Sequence, residues 1–231
     1  MVLFNVLAVL FLSYLLGSIP FGLLVVRIAS GKDLRQVESG RTGGTNAMRA
    51  AGLLAGFITA ALDVLKGAAT AWVVRWLMPG FAWLQVLAAV AAIVGHNYSI
   101  FLREKNELGK VRLRGGAGGA PALGGAIALW SQSWMIILPA ALLVYLLVGY
   151  ASITTISVAL FATVIFTYRA AIGISPWEYA WYGVLAGVLV VLALRPNLQR
   201  LRAGVERPVG LRAYLRKKAQ AEKGPPGDQA S

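Results

Sequence analysis

The chain has 231 residues, 58% hydrophobic and 13% charged, with no cysteine and a formal net charge of +13; its mean hydropathy is +0.69. Apolar runs long enough to cross a hydrocarbon core of about 30 Å mark an integral membrane protein, and the missing cysteine excludes a disulfide framework, a thiolate nucleophile and a Cys-based zinc or iron–sulfur site. The positive charge sits in short segments flanking apolar runs, a pattern of membrane topology and anionic-lipid contact that argues against a nucleic-acid partner.

The first apolar run, 2–26, carries no charge before Arg27. It has no positive start and no small-residue cleavage pattern and is too long for a signal-peptide core, so it is expected to be transmembrane helix 1. Next comes the polar stretch Ser39-Gly40-Arg41-Thr42-Gly43-Gly44-Thr45-Asn46-Ala47-Met48-Arg49. Glycines allow consecutive backbone N–H groups to converge on one point, and Ser39, Thr45, Asn46 and Arg49 add hydroxyl, amide and guanidinium donors. Ser39, Gly40, Gly43, Thr45, Asn46 and Arg49 are therefore candidate phosphate ligands; a solvated turn that merely connects two helices is the alternative.

Helix 2 is expected over 52–77 and carries Asp63 and Lys66. Three residues apart, they share one helical face, and each would cost roughly 2.5–3.5 kcal/mol if presented alone to lipid at mid-membrane. They must face the bundle interior, either paired with each other or steadying the nearby polar loop. Helix 3 is expected over 81–102, after the Pro79-Gly80 break, with Gly95-His96-Asn97 toward its inner end. His96 is either a structural interfacial histidine or an acid–base group. A second glycine-rich stretch, Gly115-Gly116-Ala117-Gly118-Gly119, opens a short helix 4 over 117–130. Helix N-termini attract anions, so Gly115 and Gly116 are candidates for a second phosphate wall; close helix packing through small residues is the other reading. Helices 5 to 7 are expected over 134–148, 152–168 and 177–194, divided at Gly149-Tyr150 and Ser175-Pro176. The polar segment after helix 7, containing Arg195, Asn197, Arg200, Gly204 and Glu206, can fold back over the same site or form a basic lipid-facing stretch.

The fold class is thus all-α, with seven transmembrane helices. Basic residues between helices 1 and 2, between helices 3 and 4, and from Arg195 onward share one side of a seven-span bundle, while the alternate connections are short and nearly uncharged. The positive-inside rule then places the N-terminus outside and the C-terminus, with the glycine loops, in the cytoplasm. Residues 1–210 are read as the membrane domain and 211–231 as a basic, partly disordered tail. No internal repeat is visible.

Three ordered motifs carry a family resemblance. Gly17-Ser18-Ile19-Pro20-Phe21-Gly22, Gly31-Lys32-Asp33-Leu34-Arg35, the 39–49 stretch and Asp63-Val64-Leu65-Lys66-Gly67 resemble the first signature of bacterial acyl-phosphate:glycerol-3-phosphate acyltransferases, whose loop reads S-G-N-x-G-A-T-N-V-x-R. Gly95-His96-Asn97-Tyr98-Ser99-Ile100-Phe101-Leu102 resembles the second, G-H-x-F-P-V-F-L, which the family continues with F-K-G-G-K-G-V-A-T. Arg195, Asn197, Arg200, Gly204 and Glu206 resemble the third, H-R-x-N-I-x-R-L-x-x-G-x-E-x-K. The chain departs from these patterns at Arg41 for asparagine, Gly44 for alanine, Ser99 for proline and Ala117 for the lysine of G-G-K-G, with an insertion between Arg103 and Leu113.

The resemblance implies a membrane enzyme that moves a fatty acyl group from acyl phosphate to the 1-hydroxyl of glycerol 3-phosphate, giving lysophosphatidic acid for phospholipid synthesis at the cytoplasmic face of the bacterial plasma membrane. Its partners would be those two substrates and membrane lipids, with no cofactor and no metal. Asn46, His96 and Glu206 are the expected catalytic groups, and Arg49, Lys110, Arg195, Asn197 and Arg200 join the loop residues as expected phosphate contacts, Lys110 replacing the lysine that Ala117 lacks. An acyltransferase with a different acceptor, and a non-catalytic lipid-binding or transport protein, are the alternatives.

Overall fold

The computed structural model describes residues 2–105 and 109–222. The insertion's residues 106–108, and 223–231 of the tail 211–231 that the sequence marks as partly disordered, lie outside the described residues. The apolar run expected to be one helix is two, α1 (Val2–Ser18) and α2 (Phe21–Ser30). Pro20 is the cause: it has no N–H to donate and disfavours helical geometry at Ile19. At the break the Ile19 carbonyl accepts the Phe21 N–H at 3.1 Å and also Lys66 Nζ, which reaches it from the next long helix at 2.8 Å. α2 ends at Gly31, whose left-handed φ of 69° lets its N–H return to the Arg27 carbonyl.

The 39–49 stretch, expected to be a loop, is a loop only as far as Gly43. Gly44–Ala51 forms α3, which meets α4 (Leu53–Leu77) at Gly52. α5 (Ala82–Asn97) stops five residues before the expected end, because the chain turns into a hairpin, β1 (Ser99–Lys105) against β2 (Val111–Arg114). The all-α expectation is corrected at this point: the 103–113 insertion extends β1 into an antiparallel ladder, with Arg103 opposite Leu113 and Lys105 opposite Val111. An ion pair between Arg114 and Glu104 at 3.1 Å holds the two strands. α6 (Gly119–Leu129), α7 (Trp134–Leu147), α8 (Ala151–Ala171), α9 (Trp177–Arg202) and α10 (Gly210–Glu222) follow.

Among the described residues four segments are long and apolar enough to cross a membrane: Leu3–Ser30, Leu53–Leu77, Ala151–Ala171 and Trp177–Arg202. Three shorter apolar helices, Ala82–Asn97, Gly119–Leu129 and Ser131–Leu147, stand among them. Lipid tails are as apolar as leucine, so close packing, rather than a hydrophobic gradient, must hold such helices together. Glycine makes it possible here. A Cβ on Gly124 of α6 would fall 2.0 Å from the Val64 carbonyl of α4, and one on Gly95 of α5 would fall 2.2 Å from the Tyr14 carbonyl of α1. The core between α4 and α9 is otherwise filled by Ile93, Ile137, Phe166 and Tyr182 among many alanines. Tyr182 is fully buried, meets Phe166 edge-on at 6.4 Å and donates its hydroxyl to the Ala122 carbonyl at 2.6 Å. Large apolar side chains such as Phe4, Leu53, Trp76 and Leu147 point outward.

Gly124→Val should force α4 and α6 apart and cost about 1–3 kcal/mol or more of stability. Gly80, with open space where a Cβ would go, should accept alanine within about 0.5 kcal/mol. Thermal unfolding of both variants in detergent checks the contrast.

Candidate active site

Three helix N-termini open onto one cavity of about 390 Å³. The first N–H groups of a helix have no acceptor within it and carry the positive end of the helix dipole. α3 begins at Gly43-Gly44-Thr45, α6 at Gly118-Gly119-Ala120 and α8 at Ala151-Ser152, and all of these residues line the cavity. None of the three ends has a side-chain cap. Gly118 adopts a φ of 86°, and a Cβ there would sit 2.9 Å from the Asn97 side-chain oxygen, so only glycine lets α6 start so close to α5.

The loop before α3 is shaped by Asn46. Its Nδ2 donates to the Leu34, Val37 and Arg41 carbonyls at 3.3, 3.0 and 2.9 Å. Three carbonyls around one amide nitrogen use up its hydrogens, so in this structure Asn46 lines the cavity while its amide nitrogen holds the loop. Asp33 pins the loop's start, accepting the Arg35 N–H and pairing with its guanidinium at 2.6 Å. That neighbouring guanidinium holds the Asp33 carboxyl down at about 2.

Asp63 and His96 form the cavity floor. Asp63 is 1% exposed; its Oδ1 lies 2.8 Å from Lys66 Nζ and 3.5 Å from His96 Nδ1. Lys66 thereby joins α4 to the α1–α2 break, and Asp63 joins α4 to α5. Gly116 closes over the imidazole, for a Cβ there would fall 1.9 Å from His96 Nε2. The remaining wall comes from α9, which continues as helix through Pro196 to Arg202. Asn197 and Arg200 therefore sit on a helix end, not on a segment after it. Asn197 Nδ2 donates to Glu206 Oε1 at 2.8 Å and Arg200 Nε to Glu206 Oε2 at 3.2 Å. Each Glu206 oxygen thus accepts from one of those two side chains, and Glu206 itself lines the cavity.

The cavity thus gathers Ser39, Gly43, Thr45, Asn46, Arg49, His96, Asn197, Arg200 and Glu206 from the expected set. It leaves out Gly40, Lys110, Gly115, Gly116 and Arg195. Gly115 and Gly116 are used by the scaffold: the Gly115 carbonyl accepts the Thr42 N–H, and the Gly116 N–H donates to the His96 carbonyl at 2.8 Å. Gly40 turns the loop with a φ of 65°. Lys110 is exposed beside the hairpin, and Arg195 is on the outward face of α9.

Arg41 is a further cation at the cavity, outside the expected set. From the loop it lines the cavity, with Nη1 donating to the Gly116 carbonyl at 3.1 Å and Nη2 to the Ala193 carbonyl of α9. Burial pushes its pKa below the usual guanidinium value, Arg200 adds to the shift and Glu206 opposes it; the group remains a cation. The acidic side chains at the cavity are matched, Glu206 by Arg200, Asp63 by Lys66 and Glu38 by Arg207. Among the described residues Arg41 and Arg49 enter no ion pair. Sequence reasoning also missed Ser152 and Thr155, although the Gly149-Tyr150 break before Ala-Ser-Ile-Thr-Thr is a legible helix start. Among the described residues no group of three or more His, Cys, Asp or Glu side chains is placed to hold a metal ion.

The protein family described as glycerol-3-phosphate acyltransferase matches residues 7–204. Glycerol-3-phosphate acyltransferase 3 of Dehalococcoides mccartyi strain CBDB1 is 35% identical over 224 residues, covering 92% of this chain and all of the relative. Glycerol-3-phosphate acyltransferase of Thermus thermophilus is 37% identical over 219 residues, covering 90% of this chain and 96% of the relative. The crystal structure of PlsY, an integral membrane glycerol 3-phosphate acyltransferase, in its glycerol 3-phosphate form superposes with a TM-score of 0.75 at 29% identity, over 91% of this chain and 98% of that one. Its lysophosphatidic acid form gives a TM-score of 0.74.

Removing one member of the buried Asp63–Lys66 pair leaves its partner's charge uncompensated. Lys66→Met alone should cost about 3–5 kcal/mol. The Asp63→Asn, Lys66→Met double variant should lose clearly less than the two single losses added, as read from denaturation in micelles.

Proposed function

The chain belongs to the glycerol-3-phosphate acyltransferase family, and from that premise we propose that it transfers a fatty acyl group from acyl phosphate to the 1-hydroxyl of glycerol 3-phosphate, giving lysophosphatidic acid, in the cavity bounded by α3, α6 and α8. It is a multi-pass membrane protein. The observation that carries the assignment is the meeting of three uncapped helix N-termini with Arg41 and Arg49 at one cavity, a surplus of positive charge suited to the phosphate that both substrates carry. The cavity opens on the basic, cytoplasmic side of a bundle of seven spans, formed by the four long and three shorter apolar segments. Two distributions support that orientation. Basic residues crowd 27–49, 103–114 and 195–218, and all seven tryptophans lie toward the other ends of the helices, as in an interfacial aromatic belt.

In the proposed reaction the primary hydroxyl oxygen attacks the acyl carbon, the bond from that carbon to the phosphate oxygen breaks, and phosphate leaves with the electron pair. The hydroxyl proton passes to the departing phosphate. Phosphate is a good leaving group, so the protein's contribution is orientation and charge stabilisation. Arg41, Arg49 and Arg200 neutralise phosphate charge, with Asn197 and Glu206 holding Arg200. Asn46 keeps the loop in the shape that aims the α3 N–H groups. His96, tied to Asp63, forms the floor against which the hydroxyl and acyl carbon meet. Arg41 supplies, from the loop, the cation that Ala117 does not.

Purified protein given palmitoyl phosphate and glycerol 3-phosphate is expected to release inorganic phosphate and lysophosphatidic acid in equal amounts; no release of either contradicts the proposal. Asn46→Ala and Arg49→Ala should abolish transfer in protein that still elutes as a folded species. Arg41→Asn should lower kcat/KM by about 10- to 100-fold, the value of one charged hydrogen-bonding partner, and Lys110→Ala should leave it within about twofold.

A further inference from the structure

A second cavity, about 440 Å³ in volume, lies at the other end of the bundle. Arg75 is twelve residues beyond Asp63 along α4, about 18 Å at helical rise, and Arg169 is seventeen beyond Ser152 along α8, about 26 Å. Both line this cavity, with Ser131, Gln132, Ser175 and Tyr179. The lining contains two guanidinium groups and no carboxylate. Among the described residues neither arginine forms an ion pair; the acid nearest in sequence, Glu178, is not part of the lining.

The two arginines are fixed in place but have donors to spare. Arg75 Nη1 donates to the Ala128 carbonyl at 3.3 Å, which holds it across the end of α6. The Arg169 guanidinium lies 4.0 Å over the Trp130 ring, a stacking that leaves its edge N–H groups directed sideways. Arg169 Nε and Ser175 Oγ are both buried without a hydrogen-bond partner. Unpaired buried donors are costly, and a serine hydroxyl and a guanidinium Nε left unpaired, with a second guanidinium on the same cavity, define a site for an anion rich in acceptor oxygens. Trp76, Trp134 and Trp177, all exposed, mark the same end of the bundle as the membrane–water boundary, the depth of lipid headgroups.

We propose that this cavity binds a phosphate group, supplied by the headgroup of an anionic phospholipid in the leaflet opposite the acyl-transfer site. Arg169 and Arg75 carry its charge and Ser175 donates to one of its oxygens. The site is separate from the acyl-transfer cavity and does not rest on the activity assigned there.

The test uses the full chain in a neutral detergent and reads thermal unfolding with three additions: dioleoylphosphatidylglycerol, dioleoylphosphatidylcholine and inorganic phosphate. Phosphatidylglycerol at about 100 times its dissociation constant should raise the midpoint by about 5–10 °C, with the choline lipid less effective. The Arg75→Gln, Arg169→Gln double variant should lose at least half of that rise, while Arg216→Gln on α10 keeps it. An equal, arginine-dependent rise with inorganic phosphate supports the site and assigns it to soluble phosphate. A rise of wild-type size in the double variant overturns the proposal, as does the absence of any rise in the wild type. Should the double variant fail to fold, Arg169→Lys, which keeps the charge but removes the Nε donor, is measured instead: a reduced rise supports the site and an unchanged one overturns it.

Discussion

Three positive helix ends and several guanidinium groups around a single cavity repel one another until an anion lies among them. That constraint explains the arrangement of the inner half of the molecule. α3 starts at two glycines, α6 at a left-handed glycine and α8 at a small alanine, so backbone N–H groups, not side chains, face the cavity. The acidic residues nearby are matched by their own cations. What stays uncompensated is the peptide N–H groups, Arg41 and Arg49, an array that suits a phosphate group.

Holding those helix ends in register requires rigid attachments deeper in the bundle. Lys66 serves two of them, reaching the Ile19 carbonyl at the proline break and Asp63 on its own helix. Asp63 then touches His96, so the floor of the cavity is locked to α1, α4 and α5 by one chain of polar contacts. Gly115, Gly116 and Gly118 let the entry to α6 lie within contact distance of the end of α5, against the His96 and Asn97 carbonyls and side chains, while Gly95 lets α5 lie against α1. Arg41 closes the ring between the loop, Gly116 and α9. A catalyst that works by orientation depends on such stiffness more than on any single acid or base.

Much of this was legible in the sequence because the strongest signals were local. Long apolar runs and the intramembrane Asp63 and Lys66 mark a helical membrane protein, and the glycine stretches mark segments that meet around one cavity. The splitting of the first run was a proline effect that a hydropathy reading passes over. The hairpin at 99–114 was hidden because its pairing spans the 103–113 insertion, and alternation in so short a strand is weak. Asn46 looked like a donor to substrate until three loop carbonyls were found around it. Arg41 and Ser152 escaped for a related reason: their places in the cavity are set by the packing of distant helices, and no spacing along the chain encodes that.

In the proposed site, peptide N–H groups at the helix ends, with Arg41 and Arg49, grip phosphate. A structure determined with glycerol 3-phosphate bound tests it most directly. The account predicts phosphate oxygens at about 2.7–3.2 Å from backbone nitrogens of at least two of the three N-termini, with a guanidinium of Arg41 or Arg49 within the same range. Phosphate bound outside this cavity, or a cavity left unfilled at saturating ligand, would contradict it.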